Sequence, residues 1–208
     1  MPDSTTLLTY SLVVLGFVFI PGPATLLTVA RATSSGTKVG IATGAGITVG
    51  DVLHTLMAAV GISAIVAASA TLFAVVKYVG AAYLIYLGLT AIFAKTSVDL
   101  GQGSVRITAE DAFKQAVLAE VLNPKTALFF LAFLPQFVVP EDGPAVLQLI
   151  VLGVVFALIG FLSTVVFSIS AGGLGNFLRR NPTVLKWQGK VVGGIYCGLG
   201  IRLAMQDR

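Results

Sequence analysis

Two short segments that contain proline interrupt long apolar stretches of this chain. They are Pro21-Gly22-Pro23 and Asn123-Pro124-Lys125, and nearly half of the 208 residues separates them. Proline removes an amide donor and forces a helix to break or bend. At membrane depth, unwound backbone is tolerated only where it lines a cavity, and matched interruptions in two halves are typical of a carrier's binding site. The segments therefore predict a central binding site, with two ordinary proline kinks as the alternative.

Asp51 and Lys125 are ionisable residues at similar predicted depth. Counted from the cytoplasmic ends of their apolar segments at ~1.5 Å per residue, each lies about 16 Å into the membrane. A charge at that depth costs roughly 3 kcal/mol, which is tolerated mainly when groups pair or face a wet cavity. We therefore expect Asp51 and Lys125 to be partners in the binding site. An ion pair that only joins the two halves is the alternative.

His54 and Glu120 are further candidates for substrate binding or coupling, together with Asn123. His54, the sole histidine, follows Asp51 by three residues and shares its helix face. It is either a proton carrier, since histidine titrates near neutral pH, or a satisfied interior side chain. Glu120 lies about two turns nearer the cytoplasm than Lys125, where it pairs with a cation or stands at the cavity mouth.

Apolar helices are the elements that must position these residues. The chain is 56% hydrophobic and 11% charged, against ~25% charged in soluble domains, and its mean hydropathy is +0.96. This composition predicts an all-α, polytopic membrane protein. Six segments are long enough to cross ~30 Å of hydrocarbon, namely 7–30, 40–69, 72–94, 113–138, 145–171 and 189–205. Five is the alternative count, because the last segment is short.

The loops indicate how these segments are arranged. Lys and Arg concentrate in three loops, which predicts that these loops are cytoplasmic and that both termini lie outside the cytoplasm. Residues 95–112 form a cytoplasmic linker of mixed charge between a first three-helix repeat, 1–94, and a second, 113–208. Homologous halves of three spans each must be inverted relative to one another. Residues 176–190 mix apolar side chains with four cations and are predicted to lie at the membrane interface.

The composition also limits which partners and cofactors the chain is expected to bind. The cations form no continuous basic stripe with interleaved aromatic residues, so we expect no binding of nucleic acid. Cys197 is the sole cysteine, which allows no disulfide within the chain and no cysteine metal cluster, and we expect no cofactor. Glycines four residues apart, such as Gly40 with Gly44 and Gly46 with Gly50, indicate close helix packing and permit a homodimer.

Several motifs occur in a consistent order along the whole chain. They are Pro21-Gly22-Pro23, then Gly80-Ala81-Ala82-Tyr83-Leu84-Ile85-Tyr86-Leu87-Gly88, then Leu122-Asn123-Pro124-Lys125 and Phe133-Leu134-Pro135-Gln136-Phe137. With these motifs, the chain resembles the LysE/RhtB family of bacterial amino-acid exporters. The resemblance implies a carrier of the inner membrane, not an enzyme, that expels amino acids such as homoserine, threonine, leucine, lysine or arginine under the proton motive force. Glu120 departs from the family pattern, in which a less acidic residue is expected.

The expected mechanism combines the two charges with the two helix breaks. Broken helices expose backbone amides and carbonyls near the midplane, which suits a zwitterionic amino acid. Asp51 is expected to bind the ammonium and Lys125 the carboxylate, while His54 or Asp51 takes up a proton from outside to reset the carrier. The expected partners are thus an amino acid, protons and membrane lipid.

Two other classes of membrane protein are alternatives to an amino-acid exporter. A divalent-metal or other small-solute exporter would use hard or borderline ligands at mid-membrane, for which Asp51, His54, Asn123 and Glu120 are candidates. A membrane electron-transfer protein that exchanges thiols and disulfides needs two cysteines within reach, and the sequence has only Cys197.

Overall fold

The computed structural model describes residues 1–19, 22–68, 70–93 and 106–180, together with single positions between 187 and 205. The α-helices in this part of the chain are α1 (Ser4–Phe19), α2 (Pro23–Ser35), α3 (Thr37–Ala68), α4 (Ala70–Phe93), α5 (Ala109–Val121), α6 (Pro124–Leu128) and α7 (Ala145–Arg180). A π-helical turn (Phe129–Phe133) and a 3-10 turn (Leu134–Phe137) follow α6, and another 3-10 turn spans Pro140–Asp142. The described residues contain no strand, so the all-α prediction is confirmed for them.

Two pairs of helices are sharply bent at short breaks. The axes of α1 and α2 differ by 56°, and those of α5 and the segment Lys125–Phe137 by 53°. Proline is the first residue of α2, at Pro23, and of α6, at Pro124, where its missing amide costs no intrahelical hydrogen bond. Both breaks therefore occur where the sequence predicted them. Pro21 itself lies outside the described residues.

Two of the helices have by themselves the length and hydropathy of membrane spans. Thr37–Gly61 and Ala145–Ala171 are long and apolar enough to cross a membrane, and the described residues provide up to four spans if each bent pair counts as one. Large apolar side chains on these helices, such as Leu12, Met57 and Leu158, are exposed, as expected for surfaces that face lipid. The segment 189–205 lies largely outside the described residues, and the six spans and the inverted repeat stay predictions.

Helix α3 lies between α5 and α7 and packs closely against both. A Cβ atom added at Gly44 would lie 2.7 Å from the Thr164 Cβ of α7, and one added at Gly50 would lie 2.6 Å from the Glu120 Cβ of α5. Both glycines belong to the four-residue spacings seen in the sequence. In lipid, where no hydrophobic effect drives helices together, such close backbone approach provides the van der Waals contact that stabilises packing. The glycine faces of α3 are thus used within the chain.

An aromatic cluster fills the space between the helix breaks and the face of the molecule that carries Met1, which we call the N-terminal face. The cluster comprises Tyr10, Phe17, Phe129, Phe130, Phe133, Phe137 and Phe156, and neighbouring ring centroids lie 4.3–6.0 Å apart. On the N-terminal face, Gln148 donates hydrogen bonds to the carbonyl oxygens of Val139 (2.8 Å) and Gly143 (2.9 Å). The N-terminal ammonium donates to the carbonyl oxygen of Asp142. This face is therefore closed by aromatic packing and by loop hydrogen bonds.

Two helix ends differ from the sequence prediction. Helix α5 begins at Ala109, within the predicted linker and before residue 113, because the Thr108 hydroxyl accepts a hydrogen bond from the Asp111 amide (3.1 Å) and caps the helix. Helix α7 continues unbroken past residue 171 to Arg180. Residues 176–180 therefore belong to this helix, and most of the remaining predicted interfacial segment lies outside the described residues.

Candidate functional site

A cavity of about 50 Å³ lies where the two helix breaks meet α3 and α7. Its ionisable side chains come from α3 (Asp51), the end of α5 (Glu120) and the start of α6 (Lys125), and Asn123 lies in the break between the last two. Helices α2 and α7 complete the wall, mostly with small residues, and α1 and α7 add the rings of Phe17 and Phe156. Two chain breaks distant in the sequence and a buried face of α3 thus meet in a single space.

The break between α1 and α2 presents an uncapped helix start to this cavity. Gly22 occupies the N-cap position with extended backbone, and no side chain caps the helix. Ala24 and Thr25, in the first turn, line the cavity. First-turn amides have no intrahelical acceptor, and the helix dipole adds partial positive charge at this end. The start of α2 is therefore suited to an anionic group.

The break between α5 and α6 is, in contrast, filled by hydrogen bonds of its own side chains. The Asn123 side-chain carbonyl accepts from the Lys125 amide (3.1 Å) and caps α6. The Asn123 side-chain nitrogen lies 3.2 Å from each carboxylate oxygen of Glu120. The Thr126 hydroxyl also donates to Glu120. Glu120, expected beside a cation or at the cavity mouth, is 3% exposed and lies in the wall of the cavity that Lys125 also lines.

The Lys125 ammonium joins the two breaks across the cavity. Its nitrogen lies 4.3 Å from the centroid of the Phe17 ring, in cation-π geometry. A Cβ atom added at Gly22 would come within 2.8 Å of the same nitrogen, so the ammonium approaches the break between α1 and α2 closely. A side chain at position 22 would therefore displace the Lys125 ammonium from its present place.

Asp51 is buried, at 2% exposure, and lines the cavity. Its backbone carbonyl accepts a hydrogen bond from the Thr55 hydroxyl (2.8 Å), but its carboxylate has no hydrogen-bond partner among the described residues. A Cβ atom added at Gly160 of α7 would lie 3.5 Å from one carboxylate oxygen, so glycine leaves open space on that side. Asp51 thus presents an acceptor to the cavity.

His54 connects α3 to α5. Its Nε2 lies 2.9 Å from the backbone carbonyl oxygen of Glu120, and its ring stacks on Phe130 with centroids 5.9 Å apart. Because a carbonyl oxygen only accepts, Nε2 carries the hydrogen of this bond. This contact fits a satisfied interior side chain, and the role of His54 as a proton carrier stays a prediction.

Among the lining residues that sequence reasoning did not identify, three contact the predicted charges or lie next to them. Phe17, Thr126 and Gly160 are apolar or small residues in helices rich in such residues, and only their contacts with Lys125, Glu120 and Asp51 reveal them. Thr126 follows the predicted break closely, which was the available signal. Among the described residues, no group of three His, Cys, Asp or Glu side chains is arranged to hold a metal ion.

Comparisons with known proteins agree with this membrane architecture. Residues 15–207 match the family model described as LysE type translocator. Relatives named as uncharacterized membrane proteins occur in Vibrio cholerae (30% identical; 95% of both chains), Pseudomonas aeruginosa (30%; 94% of this chain and 93% of the relative) and, as YrhP, Bacillus subtilis (32%; 96% and 99%). No solved structure matches the chain. Because the family match covers nearly its whole length, the chain belongs to the LysE type translocator family of membrane exporters.

Proposed function

We propose that this chain exports an amino acid or a close derivative from the cytoplasm across the bacterial inner membrane, in exchange for protons. The observation that carries the proposal is the arrangement of opposite charges in the cavity. An acceptor on α3 and an ammonium on α6 line one cavity, and an uncapped helix start lies beside the ammonium. A zwitterion needs this pair of opposite poles.

The carboxylate of the solute binds at the Lys125 pole. The Lys125 ammonium supplies charge, and the first-turn amides of Ala24 and Thr25, residues that line the cavity, supply hydrogen bonds. The ammonium already lies close to Gly22, so one carboxylate can contact both groups. Charge-assisted hydrogen bonds of this kind are roughly twice as strong as neutral ones.

The solute ammonium binds at the Asp51 pole, where the carboxylate has no other hydrogen-bond partner among the described residues. Glu120, the other acid of the cavity, already accepts hydrogen bonds from Asn123 and Thr126. His54 is likewise committed to a backbone carbonyl. These commitments favour an amino acid over a divalent metal, which would require several of the same atoms as ligands at once.

Asp51 also provides the coupling to protons. Once the solute leaves, Asp51 is a carboxylate without its counter-charge at membrane depth, which is costly, and a proton from outside neutralises it for the return step. We place the N-terminal face outside the cytoplasm, following the distribution of Lys and Arg in the loops. In this orientation, the aromatic cluster separates the cavity from the outside and must part during export.

Transport by the purified full-length chain in proteoliposomes tests the proposal. Under an imposed pH gradient, a panel of radiolabelled L-threonine, L-homoserine, L-leucine, L-lysine and L-arginine is followed, with Zn²⁺ and Mn²⁺ measured in parallel. At least one amino acid is expected to accumulate, and Asp51→Asn or Lys125→Ala is expected to lower its rate about tenfold or more.

Lys114→Ala is the matched control for these variants. Lys114 forms an exposed ion pair with Glu110 (2.6 Å) outside the cavity, and such pairs contribute little. The control should keep the wild-type rate. Wild-type transport by Asp51→Asn or Lys125→Ala would refute the assignment of the two poles, and transport of the metals alone would refute the substrate class.

A further inference from the structure

We infer that Glu120 is a positioning residue, which holds the break between α5 and α6 in one shape and thereby places Lys125, and that it is not a ligand of the solute. The inference rests on the proposed function only for the identity of the solute. The contacts from which the positioning role is inferred are all made within this chain. It assigns a role to Glu120, the cavity acid whose role the sequence left open.

The Glu120 carboxylate is committed to residues on the far side of the break. Both of its oxygens accept from the Asn123 side-chain nitrogen at 3.2 Å, and one of them also accepts from the Thr126 hydroxyl. These donors lie three and six residues further along the chain. A buried carboxylate with several donors is stabilised, and each donor is fixed in turn.

The backbone of Glu120 is tied to the neighbouring helix as well. Its carbonyl oxygen accepts from His54 Nε2 (2.9 Å) and from the Asn123 amide (3.0 Å). Helix α3 approaches closely here, since a Cβ atom added at Gly50 would meet the Glu120 Cβ at 2.6 Å. Glu120 therefore has a fixed place between α3 and the break, and the break is fixed relative to Glu120.

This network determines the orientation of the Asn123 side chain and, through it, the start of α6. A carboxylate only accepts hydrogen bonds, so the Asn123 amide must turn its nitrogen toward Glu120. Its carbonyl oxygen then faces the Lys125 amide, which it caps at 3.1 Å. Turning the amide over would lose both interactions. The charge on Glu120 thus acts on Lys125 through Asn123.

Hydrogen–deuterium exchange of the full-length protein in lipid nanodiscs, without any solute, tests this role. Glu120→Gln replaces one carboxylate oxygen by an amide nitrogen, a donor that faces the donors of Asn123 and Thr126. Thr126→Val removes one hydroxyl with little change in shape. Each variant is expected to speed exchange of the amides at 122–128 by about tenfold or more, because a charge-assisted hydrogen bond is lost. The double variant should be no faster than the faster single variant, since both act on the same carboxylate.

Thr43→Val is the matched control, because Thr43 is also buried but, among the described residues, its hydroxyl bonds only to the Val39 carbonyl of its own helix (2.9 Å). It should leave exchange at 122–128 unchanged. Faster exchange confined to 122–128 supports positioning, whereas equal acceleration in α7 would indicate general destabilisation and overturn it. If Glu120→Gln does not fold, Thr126→Val alone decides the test.

Transport assays separate this inference from the proposed function. Wild-type exchange in Glu120→Gln together with lost amino-acid transport would make Glu120 a solute ligand and overturn the inference, while the proposed function stands. Faster exchange at 122–128 in the variants of a protein that transports none of the amino acids would support the positioning role and refute the proposed function.

Discussion

The variant Gly160→Ala is expected to weaken solute binding without changing the stability of the fold. The added methyl carbon would lie 3.5 Å from an Asp51 carboxylate oxygen, an ordinary van der Waals distance, so α7 need not move. An ammonium nitrogen at ~2.8 Å from the same oxygen must stay ~3.5 Å from that carbon, which closes about a third of its directions of approach. Since a charge-assisted hydrogen bond contributes about 1.5–3 kcal/mol, a partial loss predicts a rise in KM of about 3- to 30-fold.

The assay is uptake kinetics in proteoliposomes for the amino acid that the transport panel identifies, combined with thermal unfolding of the same preparation. Gly61→Ala is the control, because an added Cβ there meets nothing within 4 Å. Both variants should unfold at the wild-type temperature, and only Gly160→Ala should raise KM. An unchanged KM for Gly160→Ala in a stable protein would refute the placement of the ammonium at Asp51.

Three further outcomes concern buried groups around the cavity. Tyr10→Phe is expected to preserve or raise the melting temperature, because the buried hydroxyl has no hydrogen-bond partner among the described residues; a fall of several degrees would show that it has one. Gly44→Ala is expected to lower the free energy of unfolding by about 1–3 kcal/mol, since its Cβ would overlap the Thr164 side chain, and unchanged denaturant or thermal unfolding would contradict that packing. His54→Gln is expected to leave the pH dependence of transport between about pH 5 and 8 unchanged, because Asp51 provides the coupling in the proposed mechanism; a displaced profile would make His54 the proton carrier.

The main features of the fold and the positions of the breaks can be predicted from the sequence because their causes are local. Hydropathy over a segment decides whether it can lie in lipid, and proline ends a helix through its own missing amide. Pro23 and Pro124 accordingly begin α2 and α6, and Asp51 and Lys125 line a common cavity. The start of α5 was also legible, in the pairing of Thr108 with Asp111, and was missed.

The sequence by itself therefore determined an all-helical membrane chain with two interrupted helices and with ionisable residues at the same membrane depth as the interruptions. Only the tertiary structure decided which of the two cavity acids has hydrogen-bond donors beside it. Residues six apart lie about 120° from one another around a straight helix, so Thr126 would not meet Glu120 without the break. The bend of 53° brings them together, so Glu120 accepts hydrogen bonds from residues of the break, whereas the Asp51 carboxylate has no hydrogen-bond partner among the described residues. That choice depends on the angle between two helices, which no local pattern specifies.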